Sequence, residues 1–227
     1  MCASTPTIDC EYDAVVFDND GVLIERTDRQ RLIEAVYNSF DEFDVTADEA
    51  FVQRCIHEDR VPIDEVYDRY GLDPEEWWPR QEAHATAVQR VDIRTGRKAL
   101  YSDVDALRDL THTLGLVSNN QHKTIEFILN HHGLMDRFET YYGREPTVVG
   151  AHRKKPNPHY INRALDDLNT NAALYVGDSE KDIIAAERAG IDSAFLRREH
   201  RLDLSLSAEP TYEFPGLRSL VNELTST

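Results

Sequence analysis

Two pairs of carboxylates in this 227-residue sequence are spaced for chemistry. Asp18-Asn19-Asp20-Gly21 follows a short apolar run at residues 12–17. Side chains alternate along a strand, so Asp18 and Asp20 start on the same side. A sharp turn at Gly21 would carry both into one pocket. One could then be a nucleophile and the other a proton donor, or both could help hold a hard cation. The second pair is Asp178 and Asp182, within Gly177-Asp178-Ser179-Glu180-Lys181-Asp182. Four residues apart, they share one face of a first helical turn. Carboxylates gathered this way repel unless a proton or cation lies between them. An oxygen-only donor set with open positions suits Mg²⁺, which also binds phosphate. Read as structure alone, Asp178 and Asp182 would be a helix N-cap and a first-turn acid.

Two further motifs carry polar groups. Ser118-Asn119-Asn120 follows an apolar run at residues 113–117 and is expected to open a helix. A hydroxyl, an amide and free helix-start N–H groups would make an anion cradle there. Lys155-Pro156-Asn157-Pro158 precedes a helical pattern at residues 161–168. The prolines stiffen the approach, and the Lys155 charge could point into the same edge.

Positioning these groups requires an alternation of strands and helices. Apolar runs at residues 12–17, 113–117, 172–176, 193–196 and, more weakly, 211–214 lack a clear period of two, as in strands buried on both faces. Ile161, Ala164, Leu165 and Leu168 repeat at helical spacing, as do Leu217, Leu220, Val221 and Leu224. Strand then helix, repeated, predicts an α/β, Rossmann-like, three-layer core with a mainly parallel sheet. Residues 27–93 contain no strand-like run. Leu32, Val36 and Phe40 share one helix face, and Ile63, Val66, Tyr67 and Tyr70 another. The organisation is therefore core at 1–26, a helical cap inserted at 27–93, and core again at 94–227.

In chain order the motifs are DxDG, then Ser-Asn, then Lys-Pro, then GDSxxD. That order and context resemble the haloacid dehalogenase superfamily of phosphohydrolases over nearly the whole chain, with the block at 27–93 in the place of the family's helical cap. The resemblance, most of all to phosphoglycolate phosphatases, implies a Mg²⁺-dependent phosphomonoester hydrolase working through an aspartyl phosphate. Asp18 would be the nucleophile. Asp20 would protonate the leaving oxygen and then activate water. Ser118 and the backbone at Asn119 would hold the phosphoryl oxygens, with Lys155 neutralising them and steadying Asp18. Asp18, Asp20 and Asp178 would bind the metal, the second through its backbone carbonyl, and Asp182 would orient the metal shell or Lys155. The expected substrate is phosphoglycolate or a sugar phosphate. Dehalogenases of the superfamily lack the second Asp, so Asp20 argues against that activity. Two alternatives remain: a phosphosugar mutase, although Val22-Leu23-Ile24 leads to Glu25-Arg26-Thr27 where mutases carry an Asp-Thr or Asp-Ser step, and a non-catalytic phospho-acceptor. Asn19 is expected to be neutral to the mechanism. Arg54, His57, Arg80 and His84 are candidate cap contacts on charge alone.

Composition narrows the setting. Twenty-five Lys and Arg against 42 Asp and Glu give a net charge of −17. Such a chain repels nucleic acid and anionic lipid, and the partner that the resemblance implies is a small-molecule phosphomonoester. Only 5 lysines stand beside 20 arginines. An acid-rich, lysine-poor surface suits a salt-rich, halophilic cytosol, although a GC-rich genome would also favour arginine. Cys2, Cys10 and Cys55 form no CxxC pair, which points to a reducing, cytoplasmic setting. No run approaches membrane-spanning length, and the N-terminus has no secretory pattern. The nine histidines, His131-His132 included, show no zinc-ligand spacing.

Overall fold

The computed structural model describes residue 8, residues 11–57 and residues 61–226, the side chain of His57 excepted. Cys2 and Cys10 therefore lie outside the described residues. Strands β1 (Ala14–Phe17), β2 (Thr113–Gln121), β3 (Thr140–Arg144), β4 (Ala173–Gly177), β5 (Asp192–Leu196) and β6 (Tyr212–Phe214) form one sheet. Their spatial order is β3-β2-β1-β4-β5-β6, and every pairing is parallel. The chain steps outward from β1 to β3, then returns to the other side of β1 as β4. The direction of winding thus reverses between β1 and β4, which opens a crevice beyond their C-terminal ends.

The sheet is covered on both faces. Val15 and Phe17 point into a core with Ile125 and Leu129 of α5 (His122–His131) and Leu220 and Leu224 of α9 (Leu217–Thr225). Ala14 and Val16 point the other way, against Ile161 and Leu165 of α7 (His159–Leu168), which follows the short α6 (Val148–His152), and Ala185 and Ala186 of α8 (Glu180–Ala189). This is the three-layer α/β core that the periodicities predict.

Between β1 and β2 lie α1 (Arg29–Asp41), α2 (Glu49–His57), α3 (Val66–Tyr70) and α4 (Pro74–Arg94). They have their own core, in which Phe40, Phe51, Tyr70 and Trp77 meet edge to face or tilted at centroid distances of 4.9–6.3 Å. Asp73 caps α4 by accepting from Glu75 N–H, and Pro74 occupies a first-turn position where no N–H is needed. The side of α4 that faces the sheet domain is polar: Gln81, Glu82, Thr86, Gln89 and Asp92 are all buried. Beyond Arg94 the chain turns through Gly96 and re-enters the core.

Two expectations need correction. Ser118-Asn119-Asn120 does not open a helix. After an irregularity beyond Val117, Gln121 pairs again with Arg144, so β2 continues to Gln121 and α5 starts at His122. The helix-start N–H groups expected at Ser118 therefore lie further along. Strand β3 was not foreseen from the sequence. Its Thr-Tyr-Tyr-Gly-Arg stretch has no aliphatic residue, and only Thr140 and Gly143 are buried on this edge strand.

Candidate active site

Strand β1 ends at Asp18, whose N–H donates to Val176 O at 2.8 Å. The Asp18 side chain is 11% exposed. Lys155 Nζ lies 3.0 Å from Asp18 Oδ1 and 2.7 Å from Asp182 Oδ1. The same ammonium donates to Tyr175 Oη at 2.6 Å and to Val117 O at 3.2 Å. Tyr175 in turn donates to Val117 O. Burial alone would lower the Lys155 pKa, but Asp18 and Asp182 outweigh it and hold it well above the ordinary lysine range. Asp182 Oδ2 accepts from Ser179 Oγ and from the N–H groups of Ser179 and Asp178, closing a capping box at the start of α8. Gly177 makes that close approach possible, since a Cβ there would sit 2.2 Å from Asp182 Cβ.

Asp178 completes the acidic cluster. Carboxylate oxygens of Asp18, Asp178 and Asp182 lie within 4.8 Å of one another. Asp178 Oδ2 is held by His200 Nε2 at 2.7 Å and Arg201 Nε at 2.9 Å. Burial would raise the Asp178 pKa, but His200 and Arg201 pull it below the ordinary value. Asp18 moves the other way. Burial raises it, against the pull of Lys155 and with the repulsion of Asp182, Asp178 and Asp20, to about 7. Its Oδ1 is buried and takes no well-directed hydrogen bond. A buried, under-satisfied carboxylate next to a second ionised one fits a hard divalent cation. Gly21 keeps that space clear: its φ is +84°, and a Cβ would lie 2.3 Å from Asp178 Oδ2.

Asp20 belongs to a different network. Lys98 Nζ donates to its Oδ1, and Asn120 Nδ2 donates to its Oδ2 at 2.7 Å. Asn19 Nδ2 also reaches Oδ2, at 3.1 Å, so the Asn19 side chain touches the candidate acid. Behind this layer stands Gln89 of α4. Its Oε1 accepts from Lys98 Nζ at 2.8 Å and from Asn120 Nδ2 at 2.8 Å, and its Nε2 donates to Asn120 Oδ1 at 3.0 Å. A cap residue thus supports the core residues that hold Asp20. Nearby, Arg144 closes a buried ion pair with Glu82 of α4, at 2.5 Å.

These features select a family. Residues 15–196 match the family model described as haloacid dehalogenase-like hydrolase. The chain belongs to this family. It is 29% identical over 163 residues to a phosphoglycolate phosphatase of Rhodobacter capsulatus, covering 68% of this chain and 72% of that one. It is 32% identical over 120 residues to a phosphoglycolate phosphatase of Vibrio vulnificus, covering 52% of this chain and about half, 51%, of that one. Its fold resembles that of CbbY from Rhodobacter sphaeroides, solved in complex with phosphate, at TM-score 0.69 and 17% identity over 92% of this chain and 96% of that one. It likewise resembles a hydrolase of the superfamily from Geobacter sulfurreducens, at TM-score 0.56 and 20% identity over 94% of this chain and 96% of that one. Among the described residues no helix is long and apolar enough to cross a membrane.

Within this member of the haloacid dehalogenase-like hydrolases, the remaining expected residues divide. Ser118 is buried, and its Oγ accepts from Asn120 N–H at 3.2 Å. The Asn119 side chain acts elsewhere: it accepts from Lys155 N–H at 2.7 Å and donates to Lys155 O at 3.0 Å. It fixes the loop that presents Lys155, leaving only its backbone for an anion. Three of the cap candidates have partners within the helical block. Arg54 pairs with Glu65 at 2.6 Å, and Arg80 and His84 both reach Glu42, at 3.1 and 2.8 Å. The His57 side chain lies outside the described residues. Lys98 and Gln89 were missed from the sequence. The sequence carries little signal for either: Lys98 is a lysine in a lysine-poor chain, and Gln89 is one polar residue among many on its helix.

Proposed function

We propose that this chain is a Mg²⁺-dependent phosphomonoester hydrolase that acts on a small phosphorylated metabolite through an aspartyl phosphate on Asp18. The observation that carries this reading is the placement of Asp18 between Lys155 and Asp178, with Asp20 held two residues away on a separate network. A carboxylate oxygen of Asp18 attacks phosphorus in line with the ester oxygen. The phosphorus–ester bond breaks, and the departing oxygen takes a proton from Asp20. Water then attacks the same phosphorus, Asp20 receives its proton, and the Asp18 carboxylate is released with inorganic phosphate. Lys155 and Ser118 neutralise and bind the phosphoryl oxygens, with the Asn119 backbone beside them. Asp18 and Asp178 would hold the cation, with the Asp20 carbonyl as third ligand. Bound there, Mg²⁺ would supply charge neutralisation at the phosphoryl group.

Phosphoglycolate or a similarly small anionic ester is the substrate we favour. Two named relatives are phosphoglycolate phosphatases. A cavity of about 210 Å³ between cap and core, bordered by Leu32, Trp78, Gln81 and Asn119, admits only a small group. Arg26, Arg29 and His200 line a second cavity at the rim of the acids, and the two arginines give it a positive wall in an acidic chain. A reducing cytoplasm fits Cys55, which is in no disulfide among the described residues. Activity that persists in molar KCl would support a salt-rich interior. The deciding test is phosphate release from a panel of small phosphomonoesters, with Mg²⁺ and with chelator, for wild type and Asp18→Asn. Metal-dependent turnover lost in Asp18→Asn is expected. A folded wild type that releases no phosphate from any ester would end this reading.

A further inference from the structure

Lys98 is 1% exposed, yet it lies outside every motif of the sequence. An ammonium carries three N–H donors and tolerates burial only when all are engaged. Here they have three acceptors: Asp20 Oδ1, Thr27 Oγ1 at 2.8 Å and Gln89 Oε1 at 2.8 Å. The four residues come from four segments. Asp20 is on the loop after β1, Thr27 on the chain entering the cap, Gln89 on the last cap helix, and Lys98 on the chain leaving it. The Lys98 backbone is fixed as well, its N–H donating to Asp92 O at 3.2 Å beside that of Arg97 at 2.8 Å. Thr27 Oγ1 donates onward to Gln89 Oε1 at 2.9 Å, so the acceptors of Lys98 are tied to each other.

The geometry points to Lys98 as the positioning residue of the proton-transfer step: it sets the direction of the Asp20 carboxylate toward the ester oxygen that leaves. This rests on the phosphatase reading above. Asp20 sits on a turn with a quarter of its side chain exposed, and Asn120 and Asn19 hold only its Oδ2. Lys98 alone among the described residues bonds Oδ1. Without it the carboxylate is free to rotate about its last bond. Misalignment at this point matters only for a leaving oxygen that needs a proton. An alkoxide such as that of glycolate needs one as the bond breaks; p-nitrophenolate departs without it. A strut that merely joined cap to core would affect both esters alike.

The test compares kcat/KM for phosphoglycolate and p-nitrophenyl phosphate in wild type, Lys98→Met and Thr27→Val, at saturating Mg²⁺, because kcat/KM covers the steps through the first transfer. Lys98→Met is expected to lose about 100-fold on phosphoglycolate and under fivefold on p-nitrophenyl phosphate. Thr27→Val keeps shape and removes one acceptor, so the same inequality is expected at about fivefold against near-unity. If Lys98→Met does not fold by circular dichroism, Thr27→Val and Gln89→Leu carry the comparison. Equal losses on the two esters, with wild type active on both, would overturn the role of Lys98 and leave the phosphatase reading standing. A wild type inert toward both would remove the reaction itself, and the inference with it.

Discussion

Asp18 and Asp20 are two residues apart and live in different surroundings. The group that holds the Asp18 carboxylate is Lys155, from the loop before α7, and Lys155 is itself fixed by Asp182 of α8 and Tyr175 of β4, all in the sheet domain. The groups that hold Asp20 are also core residues, Asn120 of β2 and Lys98 on the returning chain, but Gln89 of α4 braces both from behind. The attacking corner is buried and braced by the sheet domain. The proton-transfer corner is more open and is braced from both sides of the boundary. Displacing phosphorus requires fixed charge in a dry site, whereas protonating a leaving group requires a carboxylate that meets both substrate and water.

That contrast can be broken at either corner. The largest effect is expected from Asp18→Asn, which removes the nucleophile and keeps the shape: steady-state phosphate release should fall by about 10³-fold or more, with the fold intact by circular dichroism. Chelation should come next, with a loss on the order of 10²–10³ that added Mg²⁺ restores. Survival of most turnover in chelator would put the charge neutralisation on Lys155 alone. On the other corner, Gln89→Leu should lower kcat for an alkyl ester about tenfold, the cost of one hydrogen bond to the charged network. An unchanged kcat would mean that the sheet domain orders Asp20 unaided.

A smaller effect concerns pH. The Asp18 carboxyl titrates at about 7 in the fold against 3.8 ordinarily, because burial and its acidic neighbours favour the proton. Between those values the folded chain binds a proton that the unfolded chain has lost, so stability falls as pH rises through that window. In the chelated protein, thermal melts should drop by a few degrees from pH 5 to 7.5, and Asp18→Asn should flatten that slope. The smallest effect is expected from Arg80→Ala. Arg80 is exposed and paired with Glu42 away from the acids, so KM should stay within about twofold.

The Asp18 corner was far more legible in the sequence than the Asp20 corner, for a physical reason. Asp18 and Asp178 end strands, where short apolar runs announce the element and its crevice end. Lys155 stands just before two prolines and the start of α7, a local signal. Lys98 follows Gly96-Arg97 in a connecting stretch, and its partners are Asp20, Thr27 and Gln89, at distances along the chain that no local pattern encodes. The polar residues of α4 misled in the same way: helical periodicity marks the apolar stripe and says nothing when a polar stripe is buried too. Strand β3 escaped because tyrosines on an edge strand carry little alternation.

The buried polar stripe of α4 has a mechanical meaning. Glu82, Thr86 and Gln89 meet Arg144, Thr124 and Gln121 through hydrogen bonds that water could replace. Near the crossing points the contact changes character, for Ile93 joins Ile24 and Ile128 in a small apolar cluster. The seam between the two parts is therefore wettable along the middle of α4 and greasy at its ends, where Ile93 meets Ile24 and Ile128 and where Ala151 joins the cluster of Ile63 and Trp78. Parting it along α4 would bare mostly amides, hydroxyls and an ion pair, so an opened molecule would offer other proteins little to stick to along that stretch.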